Sequence, residues 1–109
     1  MSRLQELEAM LDASPDDPFI IYALAKEYEL KQATMQALLM YEHLVNEHPD
    51  YIPTYYHYAR LLFTAGNINE AKRMLEKGIE VGIKGKDLHT VSEMKGLLNS
   101  WSGDDEENV

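Results

Sequence analysis

An all-α fold built from repeated helix pairs is what this sequence predicts, and three observations predict it. The first is a period of 34: Pro15 and Pro49, Tyr22 and Tyr56, Ala25 and Ala59, Ala37 and Ala71, Met40 and Met74, and Glu42 and Glu76 are each 34 residues apart. A fixed period of that length marks one supersecondary unit copied along the chain, each copy burying its neighbour's apolar face. The second is the helical spacing of apolar residues inside each copy. The third is the scatter of β-branched residues, which stand singly or in pairs among helix formers and give no strand signal.

The elements follow in order. Over residues 3–13, Leu4, Leu7, Met10 and Leu11 fall on one helix face, with Arg3, Glu6, Glu8 and Asp12 elsewhere. Ser14-Pro15-Asp16-Asp17-Pro18 ends this helix and starts the next. Asp17 can cap free N–H groups, and Pro18 suits a first turn, where its missing donor costs nothing. From Pro18 to Leu30 the residues Ile21, Leu24, Ala25 and Tyr28 keep helical spacing. The pattern breaks at residues 31–34, with Thr34 the expected cap, and a further helix carries Ala37, Tyr41, Leu44 and Val45 to about Glu47. His48-Pro49-Asp50 closes the copy.

The same plan recurs as a helix from Pro53 to Ala65, a turn at Gly66-Asn67 and a helix from Ile68 to Val81. Gly66 supplies the positive φ that a helix end often needs. Its counterpart is Gln32, so the first connection is expected to be less regular. Residues 82–86 read as a loop, with Gly82 and Gly85 in it. Beyond them Leu88, Val91, Met94, Leu98 and Trp101 recur at steps of three and four, giving a capping helix over 86–101, with Trp101 either its anchor or an exposed interface residue. Residues 102–109 hold one apolar side chain and four consecutive acids, the expectation for a disordered acidic tail.

The 109 residues allow one helical domain, over 1–101. With no cysteine, disulfides, thiol catalysis and thiolate metal sites are excluded. No apolar run is long enough to cross a bilayer, and residues 1–6 lack the pattern of a signal peptide, so the cytoplasm is the default compartment. The net charge of −9 argues against nucleic acid or an anionic membrane as partner. Ten cations against fifteen acids still leave −5 over residues 1–101.

At these residues the chain resembles the tetratricopeptide repeat family, in particular its small stand-alone bacterial members. In the first copy, residues 18–51, the signature stands as Ile21, Leu24, Ala25, Tyr28, Ala37, Tyr41 and the late Pro49. In the second copy, residues 52–85, it stands as Tyr55, Tyr58, Ala59, Leu62, Ala71 and Leu75. Leu44 and Gly78 depart from the family's usual alanine, and the second copy ends in Ile83 rather than proline. Residues 3–15 match the second half of a preceding repeat, a half-repeat cap. The resemblance implies an α-α superhelix of about six helices, whose concave groove is lined by the first helix of each pair.

Carried over to this chain, the implied groove residues are Phe19, Tyr22, Lys26, Glu29 and Leu30 in the first copy. In the second they are Pro53, Tyr56, Arg60, Phe63 and Thr64, with His57 beside them. Tyr22 and Tyr56, and the cations Lys26 and Arg60, repeat at the period. Such rows suit a protein or peptide partner carrying an acidic or carboxylate group, since Arg binds carboxylate bidentately and Tyr gives area at small entropy loss. The alternative is that Lys26 and Arg60 are solvated or paired with neighbours such as Glu27 or Glu29. The family's carboxylate clamp for chaperone tails is not met. It needs Lys and Asn where Tyr22 and Lys26 stand, and Asn where His57 stands.

Catalytic readings find little. His43, His48, His57 and His89 form no HExxH, no Gly-rich phosphate loop follows a strand, and no nucleophile sits on an elbow. No enzyme activity, cofactor or metal is expected. The expected function is protein–protein interaction as an adaptor or assembly factor. Its alternative is a self-association module dimerising through a terminal helix, so that the chain is a monomer or weak homodimer. The acidic tail ending at Val109 is a further candidate for the basic groove.

Overall fold

Side-chain caps set three of the helix starts. Ser2 Oγ accepts from the Gln5 N–H while the Gln5 side chain accepts from the Ser2 N–H, a reciprocal capping box. Asp17 Oδ1 accepts from the Phe19 N–H at 2.9 Å, with Pro18 opening the helix, as the sequence predicts. Asp87 accepts from both the N–H and the hydroxyl of Thr90. The computed structural model describes the backbone of residues 1–107 and the side chains of residues 1–101. Its elements are α1 (Arg3–Ala13), α2 (Pro18–Leu30), α3 (Thr34–Glu47), α4 (Pro53–Thr64), α5 (Ile68–Lys84) and α6 (Leu88–Glu107), with no strand among the described residues.

Three helices end in one way. The Ala33 N–H donates to the Tyr28 carbonyl and the Gln32 N–H to that of Glu29. Asn67 and Gly66 repeat this toward Leu62 and Phe63, as do Asp87 and Lys86 toward Gly82 and Ile83. This is the Schellman pairing, which closes a helix with one left-handed residue. Gln32 (φ 59°), Gly66 (φ 94°) and Lys86 (φ 60°) are those residues. The irregular first connection expected from Gln32 is therefore corrected: Gln32 adopts the backbone that glycine adopts 34 residues later, with the same two hydrogen bonds. Thr34 is likewise the first helical residue rather than the cap. Ala33 holds the cap position with no side-chain hydrogen bond.

The loop expected over 82–86 is also corrected, because residues 82–84 continue α5. Gly82 is buried, and a Cβ there would lie 2.6 Å from Val91 Cγ2. It is a point of close approach to α6 rather than a helix breaker. α6 itself is Leu88–Glu107. The expected disordered tail over 102–109 falls on side chains, and at 108–109 on backbone, outside the described residues.

The chain forms two compact units, Met1–Thr54 and Tyr55–Val109. In the first, α2 packs along α3 and α1 against α2. Leu7, Ile21, Leu24, Ala25, Ala37, Tyr41, Leu44 and Val45 are buried, while Met10, expected with them, is 45% exposed. The Tyr41 hydroxyl donates to Glu29 Oε2 and ties α3 to α2. In the second unit Tyr55, Tyr58, Ala59, Leu62, Ala71 and Leu75 are buried as expected, and α5 packs on α6 through Val91 and Met94. Gly78 explains one departure from the repeat pattern: a Cβ there would sit 2.5 Å from Tyr55 Cβ. Where the first unit has Ile21 and Leu44, the second has Tyr55 and Gly78 one period later. Added bulk on one helix is matched by a lost side chain on the other.

Candidate partner-binding faces on α2 and α4

Because Ile20, Ile21, Leu24 and Ala25 turn inward, Phe19, Tyr22 and Lys26, spaced by three and four, share another face of α2. Phe19 is 60% exposed, and Tyr22 and Lys26 are half-buried. The Tyr22 ring meets Tyr51 edge-on, with centroids 5.7 Å apart. Tyr51 stands in the turn before α4, its N–H bonded to the His48 carbonyl. Burial raises the Tyr22 pKa above the ordinary tyrosine value, and Tyr51 and Glu29 push it the same way. Tyr51 is raised by burial and then by Asp17. Both hydroxyls therefore keep their protons through neutral pH and can donate to a carboxylate.

On α4, Tyr56, His57 and Arg60 come together. The Arg60 guanidinium lies 5.8 Å from the Tyr56 ring centroid, a cation–π contact, and the His57 ring meets Tyr56 at 5.5 Å. Arg60 is otherwise open to solvent. Phe63 is not part of this group: its ring stacks on Trp101 of α6 at 4.3 Å and 10°. Trp101 thus anchors α6 and covers a residue that the sequence assigns to the groove. Glu29, another implied groove residue, is held by Tyr41.

Tyr51 is the residue that sequence reading leaves without a role. Its partner Tyr22 lies on α2, at a separation unrelated to the period, so no local pattern pairs them. Among the described residues no three His, Asp or Glu side chains group as metal ligands. His48 Nε2 is instead 2.9 Å from Asp16 Oδ1, and its ring lies beside that of His43.

An all-α protein of repeated helix pairs, with a tyrosine and a cation at equivalent places on the first helix of each pair, belongs to the class of helical-repeat scaffolds. A tetratricopeptide repeat family model matches residues 30–82. The solution structure of a tetratricopeptide repeat domain protein from Salinibacter ruber is 34% identical, with 82% of this chain and 90% of that one covered and a TM-score of 0.79. A crystal structure of a tetratricopeptide repeat domain protein from the same organism gives 33% identity, 81% and 98% coverage and a TM-score of 0.77. A protein from Bordetella parapertussis shares the fold at 22% identity, with 96% and 91% covered and a TM-score of 0.81. No curated protein matches the chain.

The chain belongs to the tetratricopeptide repeat family, and its fold is of the α-α superhelix class. Repeats of this family are in general non-catalytic and bind proteins or peptides. No helix among the described residues is long and apolar enough to cross a membrane.

Proposed function

We propose that this chain is a non-enzymatic adaptor or assembly factor of the cytoplasm. It binds partner-protein segments through the first helix of each repeat, α2 in one and α4 in the other. The observation that carries this reading is the tyrosine–cation pair at equivalent places, Tyr22 with Lys26 and Tyr56 with Arg60. Arg60, steadied over the Tyr56 ring, offers a planar fork to a carboxylate. The protonated hydroxyls of Tyr22 on α2 and of Tyr51 in the turn before α4 supply donors. Exposed Phe19 adds apolar area for a neighbouring side chain of the same segment. The favoured partner segment therefore carries acidic side chains or a free C-terminal carboxylate beside an apolar residue.

The test is capture of partners from the native lysate on the immobilised full chain, comparing wild type with Lys26→Glu/Arg60→Glu. Proteins retained by wild type and lost from the variant support the reading, provided that acidic peptides derived from them compete. Equal capture by both removes its main support. Sedimentation of the purified chain tests self-association: a tight dimer that neither captures a partner nor responds to the double substitution replaces the adaptor with a dimerisation module.

A further inference from the structure

A different surface belongs to the first unit alone. Leu11 and Pro15 at the end of α1, Ile21 of α2, and Leu39, Met40 and His43 of α3 line an open cleft of about 300 Å³. Leu39 is 54% exposed, and Met35, one turn earlier on α3, is 67% exposed. The repeat supplies its own control. One period later, Met35, Leu39 and His43 are replaced by Asn69, Arg73 and Lys77 on α5, all exposed. The helix pair folds with polar and cationic residues at these places, so folding alone does not account for the apolar strip on α3.

The charges around the cleft are of one sign. From Leu4 to the end of α1, and throughout α3, there is no Lys or Arg. Glu8 and Asp12 flank Leu11, Asp16 follows Pro15, and Glu42 stands one turn from Leu39; all four are exposed. Residues 1–54 hold three Lys or Arg against ten Asp or Glu, a net −7, whereas residues 55–101 hold seven against five, a net +2. An exposed apolar strip rimmed by acids is complementary to an aliphatic strip rimmed by cations. The cleft offers no sheet edge to an extended backbone, so the segment that best fits it satisfies its own N–H and C=O groups as a helix.

We propose that the α1–α3 cleft docks a basic amphipathic helix of a partner protein. Aliphatic side chains of that helix enter between Leu11, Leu39 and Met40, whose flexible thioether adapts to their shape. Its Lys or Arg residues meet Glu8, Asp12 and Glu42. The site uses none of the residues of the α2 and α4 faces and selects the opposite charge, so it stands or falls independently of the acidic-segment reading.

The test titrates the isotope-labelled full chain with a helical peptide of about 14 residues, Leu at the positions of one face and Lys elsewhere. Its controls are a scrambled peptide of the same composition and a Leu/Glu counterpart. Saturable shifts centred on α1, α3 and Ile21 of α2, seen with the Leu/Lys helix alone, are expected. Leu39→Arg places at 39 the residue the repeat already carries at 73. It is expected to weaken binding about tenfold or more while helicity and melting temperature hold. Glu8→Lys/Asp12→Lys/Glu42→Lys is expected to abolish it. The proposal is overturned if the scrambled peptide binds as tightly, if the shifts fall on the Phe19–Tyr22–Lys26 face of α2 or on α4, or if folded Leu39→Arg binds like wild type. Self-association lost in Leu39→Arg and not displaced by the peptide overturns it too, making a second copy the occupant.

Discussion

Ile20 and Thr54 occupy one repeat position, a period apart, and both are buried. The isoleucine fits its surroundings, whereas Thr54 Oγ1 has no hydrogen-bond partner among the described residues. A buried hydroxyl left unpaired costs roughly 1–3 kcal/mol, and an apolar group of the same shape does not incur that cost. Thr54→Val is therefore expected to stabilise the protein by about 1 kcal/mol, read as a rise of several degrees in the thermal midpoint. An unchanged or lower midpoint would mean that the hydroxyl is satisfied in solution. Tyr22 gives a second residue-scale expectation. Its folded pKa lies above the ordinary 10.0, by burial first and then Tyr51 and Glu29. Between the unfolded and folded values the native state keeps a proton that the unfolded chain has released, so stability falls as pH rises. This contribution is complete below pH 10 and is lost as pH passes through the folded value. Melting followed from about pH 8 to 11 should decline less steeply in Tyr22→Phe than in wild type, with a residual slope from Tyr51. Parallel declines would count against the environment described for Tyr22.

At the scale of the helix, glycine is the residue whose meaning changes with context. Gly66 does what its sequence position suggests and closes α4 in the left-handed region. Gly78 and Gly82 lie inside α5 and are legible only as weak points, because their partners Tyr55 and Val91 belong to other helices. That is why the period, most helix starts and the inward residues are legible in the chain, while the sequence pattern ends α5 three residues too early. The same limit hides Gln32 and Lys86, whose left-handed backbones follow from the pairing that closes each helix, not from their own preference. Gly78→Ala separates the two roles. Helix propensity alone favours alanine by about 1 kcal/mol. A Cβ 2.5 Å from Tyr55 Cβ instead forces α4 and α5 apart, and overpacking of this kind costs about 1–3 kcal/mol. The variant is expected to melt lower than wild type. Tyr55→Ile/Gly78→Leu, which copies the pair Ile21 and Leu44 of the first unit, should recover most of the loss. A Gly78→Ala protein that melts higher would show that the helices part without cost.

For the molecule as a whole, the 34-residue period makes the architecture legible, and what the two copies share and do not share marks the candidate surfaces. Tyr22 and Tyr56 with their cations are what the two copies share; Leu39 against Arg73 and His43 against Lys77 are what they do not. The shared residues mark the candidate faces on α2 and α4. The α1–α3 cleft escaped because it is formed by side chains from three helices and is marked by contrast rather than by repetition. Its charge has a consequence for the free protein. Ten acids against three cations on residues 1–54 leave an excess of like charge that is self-repulsive, and salt screens exposed charges over about 8 Å at physiological ionic strength. Wild type should therefore melt higher as sodium chloride is raised from a few millimolar to about 0.15 M. Glu8→Lys/Asp12→Lys/Glu42→Lys changes the net charge of these residues from −7 to −1. It is expected to melt higher than wild type at low salt and to respond less to added salt. A basic partner helix supplies the same relief by contact, so wild type bound to the Leu/Lys peptide should lose its salt response as the variant does. If the wild-type midpoint is flat or falls with salt, the acids are already balanced locally, and the rim no longer calls for a cationic partner. If it rises and the triple variant removes the rise, the acids oppose folding and serve recognition.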